Sequence, residues 1–176
     1  MSRKDPLRHD PVDVLGEAYE LMLERVLDEF RAARDKSAPA LMTLIDKARD
    51  TATELGELSR EEAERVAAWL RRDLDDLGGH LARTGGELRD WLGFETELIE
   101  SRLLDLALAA GDPTRLQLAR LDEDLAAARE YRSGEIAGPG TLQCDACGER
   151  LTLRRAGRIP PCPRCHGSRF HRARNA

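Results

Sequence analysis

The sequence predicts a mainly α protein, an elongated antiparallel helical hairpin or coiled-coil-like bundle, that is followed by a small C-terminal β domain. Along most of the chain, apolar residues recur every three or four positions, the spacing of an amphipathic helix. Of the 176 residues 35% are charged and only 4% aromatic, which favours helices that bury a narrow apolar stripe. All four cysteines lie within 22 residues near the C-terminus, where a bound ion can replace a large core.

Three helices are predicted in the first half of the chain. The first runs from Val12 to about Lys36, and Ser37 and Pro39 then provide a cap and a first-turn proline for the second, which ends at Gly56. The third begins at a capping box, in which Ser59 and Glu62 satisfy each other's backbone amides, and Gly85-Gly86 ends it. The predicted stripes are Val12, Leu15, Tyr19, Met22, Val26 and Phe30; Leu41, Leu44, Ile45, Ala48, Ala52 and Leu55; and Ala63, Val66, Leu70, Leu74, Leu77 and Leu81.

Two further helices are predicted before the cysteines. Gly111-Asp112-Pro113 separates them, and Ser133-Gly134 ends the second. Because each stripe is narrow, we expect the helices to pack through one face, or to share that face with a protein partner or a second copy of the chain. Their stripes are Leu88, Trp91, Leu92, Leu98, Ile99, Leu103 and Leu106, and then Leu118, Leu121, Leu125 and Ala128.

The cysteines form two Cys-x-x-Cys pairs, Cys144 with Cys147 and Cys162 with Cys165, separated by 14 residues. Each pair can point two sulfurs at one ion from a tight turn, and two pairs complete a tetrahedral set of four thiolates. We therefore expect a zinc ribbon with one structural Zn²⁺, in which residues 151–153 form a strand and Phe170 closes the small apolar side. Iron remains an alternative because ligand spacing alone does not separate the two metals. His166 or His171 is a less favoured ligand.

Charge divides the chain. Residues 1–140 contain 20 of the 28 Lys and Arg and 31 of the 33 Asp and Glu, a balance of −11, whereas residues 141–176 contain eight Arg and two acids, a balance of +6. The basic tail makes nucleic acid a possible partner, through phosphate contacts of Arg150, Arg154, Arg155, Arg158, Arg164, Arg169, Arg172 and Arg174. The acidic groups Asp73, Asp75 and Asp76 are expected on a solvated helix face.

The domain organisation that follows is a charged amphipathic helical region of about five helices at 1–133, a Gly-rich linker at 134–140 and a zinc ribbon at 141–176. The longest apolar runs are five residues and the N-terminus has no apolar stretch, so neither a membrane span nor a secretory signal is expected and the predicted compartment is the cytoplasm.

The sequence resembles the bacterial zinc ribbon-containing proteins typified by YbeL, a family without a defined function. The resemblance is strongest over residues 131–170, and Arg71-Arg72-Asp73-Leu74 carries a looser similarity upstream. It implies that the four cysteines are the zinc ligands and that the upstream region is helical. His166 stands where a glycine is common. The residues that carry the resemblance most specifically are Tyr131, Ser133, Gly134, Glu135, Gly138, Gly140, Leu142, Cys144, Cys147, Cys162, Pro163, Cys165 and Phe170.

The sequence offers no catalytic motif. Hydrolase, nucleotide-binding and dinucleotide-binding signatures are missing, and four thiolates leave a metal no open position for substrate. We therefore expect a non-catalytic protein that acts as an interaction or scaffold module, with nucleic-acid binding through the Arg-rich ribbon as the alternative.

Overall fold

The computed structural model describes residues 11–35, 37–84 and 130–173. The predicted fourth helix and nearly all of the fifth lie outside these residues. In chain order the described elements are α1 (Pro11–Ala32), α2 (Ala38–Glu54), α3 (Arg60–Thr84), β1 (Tyr131–Arg132), β2 (Ile136–Ala137), β3 (Gly140–Cys144), β4 (Arg150–Leu153), β5 (Gly157–Arg158) and β6 (Arg169–Arg172). None of the described helices is both long enough and apolar enough to cross a membrane.

The helix ends follow the predicted capping signals. The Ser37 hydroxyl accepts the amide of Ala40 at the start of α2, and Gly56 has a φ of +70° just beyond its end. The Ser59–Glu62 capping box is present, with the Glu62 carboxylate 2.9 Å from the Ser59 amide. Only the first helix ends early, at Ala32, because the Asp35 carboxylate accepts the Ser37 amide and turns the chain into α2.

The three helices pack as sequential antiparallel neighbours. Glu29 pairs with Lys47, and Arg25, one turn earlier in α1, pairs with Glu57, which lies just beyond α2. The two chain segments therefore run in opposite directions. Both contacts lie on the rim, and the stripes meet beneath them. The core they form contains Tyr19, Met22, Leu23, Val26, Leu27, Phe30, Leu41, Ile45, Ala48, Ala52, Leu58, Ala63, Val66, Ala67, Leu70, Leu74 and Leu77. The predicted apolar stripes are thus confirmed for the described helices except at Leu55, which is 63% exposed beyond the end of α2, and at Val12 and Leu81, whose side chains lie outside the description. A coiled coil is not established.

The strands form two small antiparallel sheets. The larger has the order β1-β6-β3-β4 and the smaller pairs β2 with β5. Residues 151–153 belong to β4, and Phe170 is buried in the ribbon core, as predicted. The expectation that the fifth helix ends at Ser133-Gly134 is wrong, because Tyr131–Arg132 form strand β1 and pair with β6.

The ribbon is docked on the helices. Ile136 and Ala156 are buried in the helical core, and the Ala156 amide lies 3.3 Å from the Glu20 carboxylate of α1. Residues 136–140, within the predicted linker, are all buried and contain β2. This segment therefore joins the two parts of the chain through tertiary contacts, while the domain boundaries themselves stay a prediction.

Candidate metal centre and its support

The four cysteine sulfurs converge on one point. Their Sγ atoms all lie within 4.8 Å of one another, and the Cys144–Cys165 and Cys147–Cys162 pairs are each 3.6 Å apart. A tetrahedral zinc ion with Zn–S bonds of about 2.3 Å places its sulfurs about 3.8 Å apart, so the four side chains fit the ion. In the described part of the chain, this is the sole group of His, Cys, Asp or Glu side chains that is arranged to hold a metal.

Two matching turns deliver these sulfurs. The Gly148 amide donates to the Cys144 carbonyl and the His166 amide to the Cys162 carbonyl, each at 2.9 Å. Gly148 has a φ of +73° and His166 a φ of +58°, so both turns need a left-handed residue directly after the second cysteine. The histidine therefore takes the conformation that glycine adopts in the first turn, and its side chain is exposed.

Backbone amides support the sulfurs. The pKa of Cys162 is lowered to about 7: burial raises it, but hydrogen bonds from the amides of Cys165 and Arg164, and from neighbouring cysteines, favour the thiolate. Gly167 packs so closely that a β-carbon there would lie 3.2 Å from the sulfurs of both Cys144 and Cys165. Its backbone therefore covers the ligand set directly.

The two histidines of the ribbon are not part of the ligand set. His166 is exposed, and His171 lies on β6 with its Nδ1 atom 2.5 Å from the Asp145 carboxylate. A shell of four thiolates leaves no coordination position for a substrate. The centre is therefore suited to holding structure, as the sequence predicts.

A cluster of charged and aromatic side chains, which we call the interface cluster, fills the junction between ribbon and helices. Asp73 is fully buried on α3, and its Oδ2 atom accepts the Tyr19 hydroxyl at 2.9 Å and the Gly138 amide at 2.6 Å. The members of the interface cluster are Tyr19, Arg72, Asp73, Asp76, Tyr131, Glu135 and Arg172.

Two arginines provide the positive charge that pairs with the carboxylates of this cluster. Arg72 of α3 donates to Glu135 at 2.5 Å and to the Ile136 carbonyl at 2.8 Å, and its guanidinium lies 4.0 Å from the centre of the Tyr131 ring. Arg172 of β6 donates to the Tyr131 hydroxyl at 3.1 Å.

Residues 138–140 form a backbone arch that leads into β3, and Arg172 binds the carbonyl groups of this arch. It donates to the Pro139 carbonyl at 3.0 Å and to that of Gly138 at 3.2 Å, and it lies 3.8 Å from Asp73 and 3.9 Å from Asp76. Gly140 has a φ of +143°, and a β-carbon there would lie 1.9 Å from Arg172 Nη1. Only glycine fits beneath this guanidinium.

Two sequence expectations are therefore wrong. Asp73 and Asp76 are buried instead of solvated, and Arg172 is buried among acidic and aromatic groups and cannot contact a phosphate. The position of Asp73 could have revealed this, because it lies three residues after Leu70 and four before Leu77, within the apolar stripe. Arg172 lies two residues after the buried Phe170 and shares the inner face of β6, but its partners are set by the β1-β6-β3 pairing.

These features define a small zinc-binding protein in which a four-cysteine ribbon is packed against a helical region. The chain belongs to the zinc-ribbon containing domain family, whose model matches residues 28–174. It is 30% identical over 129 residues to the proteins called Uncharacterized protein YbeL of Escherichia coli K12 and O157:H7, which covers 73% of this chain and 79% of theirs. No solved structure matches the chain. Its cofactor is a single structural zinc ion.

Proposed function

We propose that this zinc-binding protein is a non-catalytic, cytoplasmic interaction or scaffold module. The observation that carries the proposal is the interface cluster. It joins the ribbon to α3 through the ion pairs of Arg72 and Arg172, and to α1 through the Tyr19 hydroxyl. Such an interface makes one rigid unit of two parts, and the closed metal shell gives that unit no reactive position. A rigid unit without an open coordination position is suited to presenting surfaces to other proteins.

The surface that we assign to a partner lies in the sequence between Thr84 and Glu130. Residues 85–129 lie outside the described residues, but Thr84 ends α3 and Glu130 directly precedes β1, so the segment is attached at both ends to the same packed unit. Its predicted helical stripes, which include Trp91, Ile99 and Leu103, supply apolar side chains at coiled-coil spacing. We assign these stripes to a second copy of the chain or another helical protein.

Light scattering on the zinc-loaded full chain tests self-association. At tens of micromolar we expect more than one chain per particle, and we expect the double variant Ile99→Glu with Leu103→Glu to be monomeric. The matched control is Ser101→Glu, which adds a charge between these positions but outside the stripe. A monomeric wild-type protein would exclude the second copy as the partner.

A second candidate, nucleic-acid binding, is favoured by the exposure of six ribbon arginines. Arg150, Arg154, Arg155 and Arg158 lie on β4, on β5 or in the turn between them, Arg164 lies between Cys162 and Cys165, and Arg169 begins β6. If they contact phosphates, the affinity for a labelled oligonucleotide should fall steeply with salt, and Arg154→Glu with Arg155→Glu should weaken it further. An affinity that does not depend on salt would remove this candidate.

A further inference from the structure

We propose that zinc binding in the ribbon and the packing of α1 against α3 are one linked equilibrium, transmitted through the interface cluster, so that zinc loss loosens the helices. This coupling makes the protein metal-responsive along its helices as well as in its ribbon. It goes beyond the scaffold function and does not depend on the identity of a partner.

The ribbon supplies partners to the buried charged groups of α3. Asp73 receives the Gly138 amide at 2.6 Å and has Arg172 at 3.8 Å, and Asp76 has the same guanidinium at 3.9 Å. Conversely, Arg72 of α3 donates hydrogen bonds to two ribbon groups, the Glu135 carboxylate and the Ile136 carbonyl. The ribbon therefore provides both a cation and an anion to charged groups that are buried on the helix.

Strand pairing beside the metal ligands holds these ribbon groups in place. Arg172 lies on β6, where Phe170 is the strand partner of the metal ligand Cys144 and Arg172 itself is the partner of Leu142. Cys162, at the other side of the site, accepts the His166 amide and donates its own amide to Gly167, the residue that leads into β6. Short strands with so small a core depend on the ion for order, since binding of structural zinc and folding of such a ribbon are one process.

Disorder in the ribbon would change the packing of the helices. If β6 and the 138–140 arch lose their order, Asp73 keeps Arg72 but loses the Gly138 amide, and both Asp73 and Asp76 lose the Arg172 guanidinium. Burying a carboxylate without its partners is strongly unfavourable, so water enters where the ribbon groups were. This water competes with the Tyr19 hydroxyl for Asp73, which weakens the hydrogen bond that joins α1 to α3. Ile136 also leaves the helical core at this point, which opens an apolar gap.

The coupling must act in both directions. If zinc stabilises the packing of α1 and α3, then groups on these helices stabilise zinc binding by the same factor. A charge-removing change on α3 should thus weaken zinc binding, even though α3 and the cysteines are far apart in sequence. A ribbon that folds independently of the helices would show no such effect.

Hydrogen exchange of the wild-type full chain, measured by mass spectrometry with zinc and after chelation under reducing conditions, tests the first direction. We expect the amides of residues 19–27 and 66–77 to exchange at least tenfold faster without zinc, together with those of the ribbon. Unchanged exchange in these helical segments while residues 140–173 lose protection would overturn the proposal.

The variant Asp73→Asn tests the reverse direction through competition for zinc with a chromogenic chelator. We expect its zinc dissociation constant to rise at least fivefold, whereas that of the control Glu61→Gln, an exposed position on the same helix, should stay within twofold of wild type. A wild-type affinity in Asp73→Asn, with its helical circular dichroism intact, would contradict the coupling. If the variant does not fold, the wild-type exchange experiment decides.

Discussion

The hydroxyl of Tyr19 on α1 donates to the same oxygen of Asp73 on α3 that accepts the Gly138 amide of the ribbon. The first helix, the third helix and the ribbon thus meet at one carboxylate atom. Because Asp73 is fully buried, each donor offsets part of the cost of removing its charge from water. The junction between the two parts of this protein is therefore polar and directional, and it specifies their relative orientation more closely than apolar contact would.

Removing only the Tyr19 hydroxyl measures how much its hydrogen bond to Asp73 stabilises the protein. We expect Tyr19→Phe to lower the free energy of unfolding by about 1.5–3 kcal/mol, because a buried carboxylate loses a donor while the ring still packs. Urea unfolding of the zinc-loaded protein provides the measurement. A loss below about 0.5 kcal/mol would show that water replaces the hydroxyl and that the site is less dry than its burial indicates.

The two tyrosines of the chain, Tyr19 and Tyr131, predict a stability that falls in alkali. Burial raises the pKa of each well above 10, and the Asp73 charge raises both further. In the unfolded chain they ionise near pH 10, so their contribution is fully present below that pH and decreases as the pH rises above it.

Absorbance at 295 nm tests this expectation. Since both tyrosines are buried, the tyrosinate signal should rise together with the loss of helical circular dichroism as the pH is raised beyond about 10. A tyrosinate signal that titrates near pH 10 in the folded protein would contradict the described burial. In Tyr19→Phe the amplitude should halve, which assigns the signal.

Gly140 provides a steric test of the arch beneath Arg172. Gly140→Ala must displace the guanidinium, whose Nη1 atom lies 1.9 Å from the new β-carbon, in addition to adopting a φ of +143°. We expect a loss of about 3–5 kcal/mol, in the range for breaking a buried ion pair. The control is Gly56→Ala, where φ is +70° but nothing lies within 4 Å, and where about 1–2 kcal/mol is expected from the backbone alone. Equal losses would mean that the guanidinium moves aside freely.

Local signals predicted the parts of the fold that depend on nearby residues. The Ser59–Glu62 capping box, Gly56 beyond α2 and the four-cysteine cluster all depend on contacts set by short spacings or by an ion. The described helices and the strand at 151–153 were predictable for the same reason. The scaffold role and the coiled coil stay predictions.

The apolar stripe around Asp73 signals its burial, but the pairings of the interface cluster could not be predicted from the sequence because the partners lie far apart. Tyr19 and Asp73 are 54 residues apart, and Tyr131 and Arg172 are 41 apart. Charge patterning alone therefore placed Asp73 and Arg172 on the surface. Tyr131, Glu135, Gly138 and Gly140 carried the resemblance to the zinc ribbon family, and the structure now gives these residues a physical role at the junction.

The metal centre predicts a fixed stoichiometry. Protein purified without chelators should contain one zinc per chain and show no visible absorption band, because all four sulfurs bind one d¹⁰ ion. Elemental analysis and an absorption spectrum of the same desalted sample provide the test. Iron at one per chain with a visible charge-transfer band would overturn the zinc assignment.

His166 predicts a stabilising substitution. Among the described residues it is the one non-glycine position with a positive φ, +58°, while Gly148 occupies the equivalent turn at +73°. A left-handed conformation costs a residue with a β-carbon about 1–2 kcal/mol, and glycine's greater freedom in the unfolded chain offsets part of the gain. His166→Gly should therefore raise the free energy of unfolding of the zinc-loaded protein by about 0.5–1 kcal/mol, measured by urea unfolding. Its control is Ser168→Gly, at a nearby exposed position without positive φ, which should lower stability by about 0.5–1 kcal/mol. If His166→Gly were as destabilising as Ser168→Gly, the histidine side chain would have to contribute a contact that outweighs its backbone strain.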